Sequence, residues 1–477
     1  MSTTRRNVRG LKDPPALRAY LESLGLTLPF DDVVRSGPDS PLARSLTVHD
    51  RVVGNRFAIL PMEGWDNTTT GKPTDLTRRR WQRWGESGAK LICGAEAMAV
   101  CPGGRGSPVQ LMMIESNLAE ITELRALLVH SHEQRFSTTE DLLVGVQLTH
   151  SGRVSHPNEW DRPEPRIVYH HPILDPLYDA QGDEAVMTDE EIEALVSDFV
   201  TAARLSQAAG FDFVDIKHCH GYLGHEFLSA VDRPSRYGGS FENRTRFLRE
   251  VVTGIRSNVP GLEIAVRFSA VDFLPFADGP DDRTEPAAFD GDRYPYAFGG
   301  DGSGAGIDLT EPLAFLDLLK SLDIQLVCVS AGAEYNSHVM EPYNSLPVAP
   351  HKPPEDPVIG VARLVGLVAD LKRQRPDLVY VGSGYSYLQQ WLPNVAQAVV
   401  GKGWADSVGI GRMSFSYPDM CADVLEGRPL QRKRICTTCG YCDVAPGFHV
   451  GSGCYSLDEF YRSRPEFQTL KQRIKEA

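Results

Sequence analysis

Short apolar runs alternate with longer amphipathic segments along the chain from Val52 onward. Each run joins several apolar, often β-branched residues and is bounded by turn or polar residues, as buried strands are. The longer segments between the runs carry apolar residues at helical spacing. Eight runs therefore predict strands, at residues 56–60, 90–94, 143–148, 213–216, 264–268, 326–329, 378–381 and 407–410.

Helices are predicted between these strands, and one of them has a well-marked start. Thr188 and Glu191 form the Thr-x-x-Glu pattern of a capping box, ahead of a long amphipathic segment that ends at Gly210. Further helices are predicted at residues 15–24, 74–87, 117–132, 242–255, 312–322, 357–371, 388–400 and 418–425.

The alternation of strands and helices predicts an α/β fold, a closed TIM (β/α)8 barrel. Each pair of parallel neighbours needs a crossover connection, and the predicted helices supply it. An open, doubly wound sheet is the alternative. The absence of a Gly-x-Gly-x-x-Gly motif that opens a helix after an early strand counts against this alternative.

Three regions and one insertion are predicted. Residues 1–46 form an N-terminal extension, residues 47–430 form the barrel, and residues 431–477 form a cysteine-rich segment and tail. Residues 276–306 are acidic, rich in Gly and Pro, and too numerous for an ordinary connection. This insertion is either lid-like or a solvated loop, and both interpretations stay open.

Charge and cysteine content narrow the class of protein. The 477 residues include 49 basic and 63 acidic ones, for a net charge of −14, and no basic stripe, which argues against nucleic acid and anionic membranes as partners. No run approaches the length of a membrane span, and no apolar stretch follows Arg5, Arg6 and Arg9 as an export signal requires. Nine cysteines, four of them near the C-terminus, indicate a reducing compartment, and we expect the cytoplasm.

Candidate chemistry is concentrated in residues 211–227, FDFVDIKHCHGYLGHEF. The segment changes from apolar to polar at the end of the fourth predicted strand, where Lys217, His218, His220 and Tyr222 follow one another closely. Buried groups that exchange protons are costly unless they have partners or a task, so the catalytic residues are expected here. His218 should point away from its neighbour Lys217, as a packed or hydrogen-bonded histidine.

Polar residues and glycines also follow the other predicted strands, where a barrel would gather them at one mouth. Two glycine-rich turns, VGSGYS and GIGRMS, follow strands seven and eight, where barrels commonly bind phosphate through backbone N–H groups. They predict a phosphorylated cofactor, with tight turns that need positive φ as the alternative. The residues at the predicted mouth include Met62, Glu63, Gln147, His150, Arg267, Ser330, Gly332, Gly382, Ser383, Gly384, Gly411 and Arg412.

Six motifs carry a family resemblance: QLTHSGR at 147–153, HGYLGHEFLS at 220–229, RYGGSFENRTRF at 236–247, VRFSAVD at 266–272, and the turns GSGYS and GIGRMS. Together they resemble the Old Yellow Enzyme family of FMN barrels over about residues 47–430, and HGYL followed by YGGSxENR is highly specific. Within that family the chain is most similar to the branch that contains 2,4-dienoyl-CoA reductase and trimethylamine dehydrogenase, because a cysteine motif follows the barrel.

The resemblance implies noncovalent FMN and assigns residues to it. It puts Gln147 and Arg267 on the flavin pyrimidine ring, where an amide can pair with ring N–H and C=O and a cation can stabilise the reduced ring. It makes His220 a substrate-binding residue and Tyr222 the proton donor. The remaining cofactor contacts that it implies are Pro61, Met62, Glu63, Ala95, Gly382, Ser383, Gly384, Gly411 and Arg412.

Cys436, Cys439, Cys442 and Cys454 have the spacing C-x2-C-x2-C-x11-C. Three closely spaced thiolates and a fourth from farther along the chain suit a tetrahedral metal or a cubane iron–sulfur cluster. The neighbouring flavin barrel favours a 4Fe–4S cluster, with zinc as the alternative. The other cysteines are mostly expected in the core, at positions 93, 101, 219, 328 and 421.

Three departures from the family pattern stand out. Glu63 stands where trimethylamine dehydrogenase has the cysteine that attaches FMN, so no covalent attachment is expected there, and the redox poise stays open. Lys217 stands where relatives have His or Tyr, either as a strong donor to a substrate oxygen or as a structural partner of Glu63 or another carboxylate. No sequence follows residue 477, so the C-terminal NAD(P)- and FAD-binding domains of larger relatives are not expected.

The sequence thus predicts an FMN-dependent oxidoreductase that reduces the activated C=C bond of an enone or dienoyl-like substrate. His220 and Lys217 would hold the carbonyl oxygen, flavin N5 would deliver hydride to the β-carbon, and Tyr222 would protonate the α-carbon. NADH, NADPH or an external electron-transfer protein would be the redox partner, and a homo-oligomer stays open. The alternatives are a dehydrogenase that oxidises an amine or another small organic substrate and passes electrons to a carrier, and a non-catalytic electron-transfer subunit.

Overall fold

A computed structural model describes residues 8–279, 284–333 and 355–476. Eight parallel strands form a closed barrel, in which each strand pairs with the next in the chain and the eighth pairs with the first. All eight predicted strands are confirmed, with ends that differ by up to two residues. The strands are β1 (Phe57–Ile59), β2 (Leu91–Ile92), β3 (Leu143–Thr149), β4 (Phe213–His218), β5 (Glu263–Ser269), β6 (Leu326–Ser330), β7 (Val379–Gly382) and β8 (Ser407–Ile410).

A helix follows each strand, as a TIM barrel requires. Apolar faces of these helices pack on the strands and form the main core, and the capping box at Thr188 is present at the start of the third helix. The helices are α1 (Asp75–Gly85), α2 (Leu118–Phe136), α3 (Asp189–Ala208), α4 (Arg246–Asn258), α5 (Thr310–Ser321), α6 (Pro357–Gln374), α7 (Leu392–Gly401) and α8 (Met420–Leu425).

Two helices predicted as continuous are interrupted. The segment 242–255 divides into Phe241–Arg244 and α4, because the Thr245 hydroxyl binds the carbonyl oxygens of Phe241 and Glu242 at the junction. The segment 388–400 starts as the 3-10 helix Tyr385–Trp391, and α7 begins only at Leu392. The second break lies at Gln389, whose φ of +53° and ψ of −118° are not helical, and Pro393 then falls in the first turn of α7.

The amino ends of the barrel strands are covered by a small hairpin, Leu46–Val48 with Arg51–Val53. Leu46, Val48 and Val53 pack against barrel-interior residues that include Phe213 and Val381. The N-terminal helix Pro14–Ser23 adds buried apolar side chains to the main core. With this end closed, the barrel is accessible at the carboxyl ends of its strands.

The insertion at 276–306 packs against a neighbouring loop of the barrel. It begins with a short hairpin, Phe276–Asp278 with Thr284–Pro286, and residues 280–283 lie outside the described part. Tyr294 is buried and its hydroxyl hydrogen-bonds to His171 Nε2 over 2.8 Å. Its described residues do not line the large pocket at the barrel mouth. A lid role stays a prediction.

The cysteine-rich segment forms a small folded unit against the barrel, with helices Tyr441–Gly447, Glu459–Arg462 and Pro465–Glu476. Its own apolar cluster contacts Leu76 of α1. The Asp458 carboxylate accepts hydrogen bonds from Arg79 and Arg83 of the same helix. The backbone of Ser452 donates to Gly64 O over 2.7 Å, which fixes the segment beside the loop after β1.

Across the described ranges, no helix combines the length and apolar character that crossing a membrane demands. All nine cysteines are free thiols.

Candidate active site

A large pocket opens at the carboxyl ends of the barrel strands, and it collects most of the residues singled out from the sequence. It contains about 1180 Å³ of space, including solvent at its mouth. A concave site with convergent polar groups is where a ligand is expected. The sequence-predicted residues that line it are Pro61, Met62, Glu63, Gln147, Lys217, His220, Tyr222, Arg267, Ser330, Ser383, Gly384, Gly411 and Arg412.

Ala95 and Gly382 were also expected at the cofactor, and they lie behind the pocket wall. The carbonyl oxygen of Ala95 accepts a hydrogen bond from the backbone of Met62 over 3.0 Å, so Ala95 supports the loop that lines the pocket. Gly382 ends β7, where a Cβ would approach the Tyr385 hydroxyl to 2.8 Å. Both residues shape the site without lining it.

One side of the pocket is built by neighbouring strands. Gln147 on β3 is in register with Asp215 on β4, and Lys217 on β4 is in register with Arg267 on β5. Gln147 Nε2 donates to Asp215 Oδ2 over 2.6 Å, which orients the amide. Burial raises the pKa of Asp215 to about 6, although the bond from Gln147 and the charge of Arg267 oppose that rise. An oriented amide and a nearby guanidinium can bind a heterocycle with adjacent N–H and C=O groups.

The opposite side is formed by the two glycine turns after β7 and β8. Gly384 has a φ of +87°, a backbone conformation that glycine adopts without strain. At Gly411 a Cβ would stand 3.3 Å from Met62 Sδ, so a side chain there would crowd the wall. Arg412 follows directly and also lines the pocket. Open backbone and a guanidinium in consecutive turns fit a phosphate group.

Lys217 makes the structural pair that the sequence left as one of two interpretations. Its Nζ lies 2.9 Å from Glu63 Oε1, and the two side chains are 4% and 15% exposed. The other carboxylate oxygen of Glu63 accepts from Trp65 Nε1 over 2.7 Å and from Gln110 Nε2 over 3.4 Å. Lys217 Nζ also lies 3.1 Å from the centroid of the Tyr222 ring. The ammonium is therefore held between a carboxylate and an aromatic ring.

His220 is fixed by hydroxyl groups from two adjacent strands. Its backbone N–H donates to Ser269 Oγ over 3.1 Å, and its Nε2 lies 2.8 Å from Ser330 Oγ. Its φ of +65° turns the chain out of the end of β4. Burial, together with the charges of Arg267 and Lys217, holds the pKa of His220 well below 6.5. The ring is consequently neutral at neutral pH.

His218 lies outside the pocket, as predicted from the alternation of the strand. It is buried between the barrel and the helices, close to the rings of Phe247 and Phe315. Burial lowers the pKa of His218 to about 4. It is a packing residue.

Several lining residues were not singled out from the sequence. Trp65 lies two positions after Glu63 and holds its carboxylate, so the LPMEGW motif contained the only local signal. Tyr387 follows the first glycine turn. Asp443, Pro446 and Ser452 come from the cysteine-rich segment, and no feature of their own sequence indicates that this segment forms a wall of the pocket.

The four cysteines of the C-terminal motif line one smaller cavity of about 330 Å³. The backbone of Thr438 donates to Cys436 Sγ over 3.3 Å, and Cys439 Sγ shares a hydrogen bond of 2.9 Å with Ser456 Oγ. Burial raises the pKa of Cys436 to about 12, although Arg412 opposes the rise. Cys442 and Arg412 line both this cavity and the large pocket, so the two sites share a wall.

The four cysteines line a common cavity without forming a compact ligand set for one ion. In the part of the chain that the structure describes, no three His, Cys, Asp or Glu side chains are close enough to hold a single metal ion. A tetrahedral zinc site requires Zn–S distances of about 2.3 Å, so its four sulfurs must lie close together. A cubane cluster is larger and fits a wider arrangement of four thiolates.

Comparisons with known proteins identify a family and several relatives. The profile of the NADH:flavin oxidoreductase / NADH oxidase family matches residues 42–283. The chain is 36% identical over 195 residues to the NADH:flavin oxidoreductase FG08077 of Gibberella zeae, which covers 38% of this chain and 45% of that protein. It is 27% identical over 348 residues to the NADPH dehydrogenase of Clostridium acetobutylicum. This alignment covers 70% of this chain and 88% of that protein.

Solved structures with the same fold include enzymes of differing activity. A 2-naphthoyl-CoA reductase in complex with 2-naphthoyl-CoA matches 90% of this chain and 58% of its own, with a TM-score of 0.65 and 19% identity. Histamine dehydrogenase from Rhizobium sp. 4-9 matches 86% of this chain and 51% of its own, with a TM-score of 0.62 and 21% identity. An old yellow enzyme homologue from Zymomonas mobilis matches 83% of this chain and 96% of its own, with a TM-score of 0.55 and 21% identity. This chain thus spans little more than half the length of the 2-naphthoyl-CoA reductase and of histamine dehydrogenase.

Proposed function

Because the chain belongs to the NADH:flavin oxidoreductase / NADH oxidase family, we propose that it is an FMN-dependent oxidoreductase that reduces an activated C=C bond. The observation that carries the proposal is the convergence of Gln147, Arg267, His220 and Tyr222 in one pocket. An amide and a cation face one region of this pocket, and a phenol and a neutral imidazole face another. This arrangement can bind a heterocyclic cofactor beside a carbonyl substrate and give a proton to the substrate.

The residues fit FMN on both sides of the pocket. Gln147 and Arg267 would contact the pyrimidine edge of the flavin, and the guanidinium would favour its electron-rich reduced form. The turns at Gly384 and Gly411, with Arg412, would hold the phosphate. FMN supplies hydride from its N5 when bound. The names of the relatives support NADH or NADPH as the source of electrons.

His220 and Tyr222 would act on the substrate. The neutral His220 ring, held by Ser330 at 2.8 Å, can donate a hydrogen bond to a carbonyl oxygen and polarise the conjugated double bond. The β-carbon then accepts hydride, and the Tyr222 phenol gives its proton to the α-carbon. Lys217 keeps donors beyond the one used by Glu63, and it lies close enough to Tyr222 to influence the same step.

One observation weighs against a cationic amine as the substrate. The ammonium of Lys217 already occupies the face of the Tyr222 ring, where a cationic ligand would otherwise be attracted. Arg267 lies on the adjacent strand in register with Lys217 and adds positive charge. A cationic substrate near Lys217 and Arg267 would be repelled, whereas a neutral enone or a thioester would not.

The test compares Tyr222→Phe and His220→Ala with the unchanged protein, using FMN-loaded enzyme reduced by NADPH or NADH. We expect Tyr222→Phe to slow reoxidation of the reduced flavin by 2-cyclohexenone about 100-fold or more, because a positioned general acid contributes about 10²–10⁴-fold. Anaerobic stopped-flow absorbance of the flavin measures the rate. Tyr296→Phe, which removes a phenol bonded to Asp232 outside the pocket, is the matched control. Enone reduction that persists unchanged in both pocket variants would refute the assignment.

The cysteine cavity supports a 4Fe–4S cluster as a second cofactor, and zinc is the weaker alternative. All four thiols line one cavity, and among the described residues no three ligand side chains are close enough to hold a single ion, whereas a cubane cluster takes four more widely spaced thiolates. Because Cys442 also lines the flavin pocket, electrons could pass between the two sites one at a time. Free thiols throughout the chain fit a reducing compartment such as the cytoplasm.

The shared wall also favours a second candidate function. A dehydrogenase that oxidises a small organic substrate would need a route for single electrons to an external carrier, and the position of Cys442 would provide one. The two functions differ in what reduces the flavin. Reduction by NADH or NADPH supports the reductase, and reduction by an organic donor without nicotinamide supports the dehydrogenase.

A further inference from the structure

The contact between Lys217 and Tyr222 has consequences beyond pairing with Glu63. Lys217 Nζ lies 3.1 Å from the centroid of the Tyr222 ring, and both residues are almost fully buried, at 5% and 2% exposure. A carboxylate partner alone does not require the ammonium to lie on an aromatic face. The position of Tyr222 is fixed by its place at the start of the helix Leu223–Leu228, directly after β4.

The charge of Lys217 affects the two forms of Tyr222 differently. A cation over a neutral phenol ring is attracted by the ring quadrupole. The same cation attracts a phenolate more strongly, because the ring then carries a full negative charge, and an opposite charge within about 4–6 Å favours the ionised form of a group. Burial of the pair strengthens the effect, because water screens it less.

Of the charged and titratable groups around Lys217, one carboxylate contacts its ammonium directly. Glu63 Oε1 binds Nζ at 2.9 Å, and Trp65 and Gln110 hold the second oxygen of that carboxylate. Arg267 lies in register on β5, and His220 is neutral. Asp215 lies two positions before Lys217 on β4 and bonds to Gln147. The carboxylate that contacts the ammonium is thus the one from the loop after β1.

From this geometry we propose that Lys217 is a positioning residue that acts through Tyr222, holding its ring and stabilising the phenolate that forms when Tyr222 protonates the substrate. The inference rests on the proposed function. In the step concerned, the phenolic O–H bond breaks and a C–H bond forms at the α-carbon, while the hydride donated to the β-carbon supplies the electron pair. Tyr222 then regains its proton from solvent. Glu63 orients the ammonium towards the ring.

Two other roles for Lys217 lead to different results. If Lys217 bound the substrate oxygen directly, its loss would slow the reaction whether or not Tyr222 were present. If it only stabilised the fold with Glu63, its loss would lower stability and FMN content without a specific effect on proton transfer. An effect transmitted through Tyr222 disappears when the phenol is already absent.

The experiment is a double-mutant cycle with Lys217→Met, Tyr222→Phe and the double variant, in FMN-loaded enzyme. The rate constant for reoxidation of reduced flavin by 2-cyclohexenone is measured at saturating substrate. We expect Lys217→Met to slow this step about tenfold or more in the unchanged background. In the Tyr222→Phe background, the same substitution should change the rate less than about threefold. Equal slowing in both backgrounds would overturn the inference.

A conservative variant and a second neutral variant guard against a trivial loss of structure. Lys217→Arg retains a cation that can lie on the ring and should recover most of the rate lost in Lys217→Met. Lys217→Gln replaces Lys217→Met if the latter does not retain FMN. If Lys217→Arg reoxidises its flavin no faster than the neutral variants do at equal FMN content, the result also counts against a role for the charge.

A measurement independent of turnover uses the FMN-free protein. The ultraviolet difference between the unchanged protein and Tyr222→Phe isolates the ionisation of the Tyr222 phenol as pH rises. Lys217→Met should move the midpoint of this signal to higher pH by about one unit or more, because the stabilising cation is gone. An unmoved midpoint would contradict the inference.

The two kinds of failure are distinguishable. If the unchanged protein does not reduce 2-cyclohexenone or any other enone, the proposed function fails, while the titration of Tyr222 still tests the contact with Lys217. If enone reduction is found and the cycle is additive, the proposed function stands and the role of Lys217 is wrong.

Discussion

A single buried carboxylate, Asp215, lies beneath the proposed cofactor contacts. It is fully buried and accepts a hydrogen bond from Gln147 over 2.6 Å. Burial raises its pKa to about 6 from the ordinary value of 3.8. The folded protein therefore holds this proton more tightly than the unfolded chain does.

This difference predicts how stability depends on pH. Below about pH 4 the carboxyl is protonated in both states, and as pH rises to about 6 the unfolded chain ionises first and gains relative stability. The free energy of unfolding should therefore fall over this range, relative to Asp215→Asn, by an amount on the order of 3 kcal/mol. Urea denaturation of the FMN-free proteins at pH 4 and pH 7 measures the difference. A gap between variant and unchanged protein that is the same at both pH values would contradict this account.

The residues that depart from the family pattern form one connected group. Glu63 and Lys217 were recognised separately from the sequence, and the structure joins them by an ion pair of 2.9 Å. Trp65, on the same loop as Glu63, has a φ of +45°, which is unusual for a bulky residue. Its indole donates to Glu63, so the strained loop and the ion pair depend on each other.

Among the elements, helix α1 joins the barrel to the cysteine-rich segment. Arg80 on this helix makes two bonds of 2.8 Å to Asp66 and bonds of 3.0 to 3.3 Å to Glu96, and all three side chains are about 2% exposed. Arg79 and Arg83 on the same helix bind Asp458 of the C-terminal segment. The loop after β1, which lines the pocket, is therefore held between α1 and this segment.

Removal of the central cation should destabilise the fold strongly. We expect Arg80→Met to lower the free energy of unfolding by about 3–5 kcal/mol, because two buried carboxylates lose their partner. The control is Arg78→Met on the same helix. The ion pair of Arg78 with Glu123, at 3.7 Å, is accessible to solvent and should contribute less than about 1 kcal/mol. Chemical denaturation followed by circular dichroism compares the two. Similar losses in both variants would show that burial of the network is not the cause.

For the whole molecule, the main feature is that two cavities share a wall. The flavin pocket lies inside the barrel mouth, and the cysteine cavity lies in the C-terminal segment, with Cys442 and Arg412 common to both. Such an arrangement suits the exchange of electrons between a two-electron cofactor and a one-electron cofactor. The C-terminal segment thus contributes part of the wall of the proposed flavin pocket.

This arrangement predicts that the proposed FMN and the proposed 4Fe–4S cluster can be separated by mutation. Cys439 lines the cysteine cavity but not the flavin pocket, so Cys439→Ala should lose most of its iron and sulfide while it retains FMN. Cys101→Ala is the control, because that thiol lies outside both cavities. Anaerobic purification followed by absorption spectra and by analysis of iron, zinc, sulfide and FMN provides the measurement. Zinc without sulfide in the unchanged protein would rule out the cluster.

The sequence by itself determined the eight strands, their order and most residues of the pocket. Strands and helices have local periodicities, and in a parallel barrel the residues after each strand meet at one end wherever the strands lie in the chain. Gln147, Arg267 and Tyr222 could therefore be grouped before any distance was known. The breaks at Thr245 and Gln389 were missed, because they depend on one side-chain hydrogen bond and on one non-helical backbone position within otherwise helical patterns.

Only the tertiary structure decided which of these residues touch. Lys217 and Glu63 are 154 positions apart, and their contact follows from closure of the barrel and the course of the loop after β1. The wall formed by Asp443, Pro446 and Ser452 likewise depends on how the C-terminal segment packs on α1. Residue type and spacing indicate which chemistry is available. Whether an ammonium lies on a carboxylate, on a phenol ring or on both depends on packing between distant segments, which local pattern does not encode.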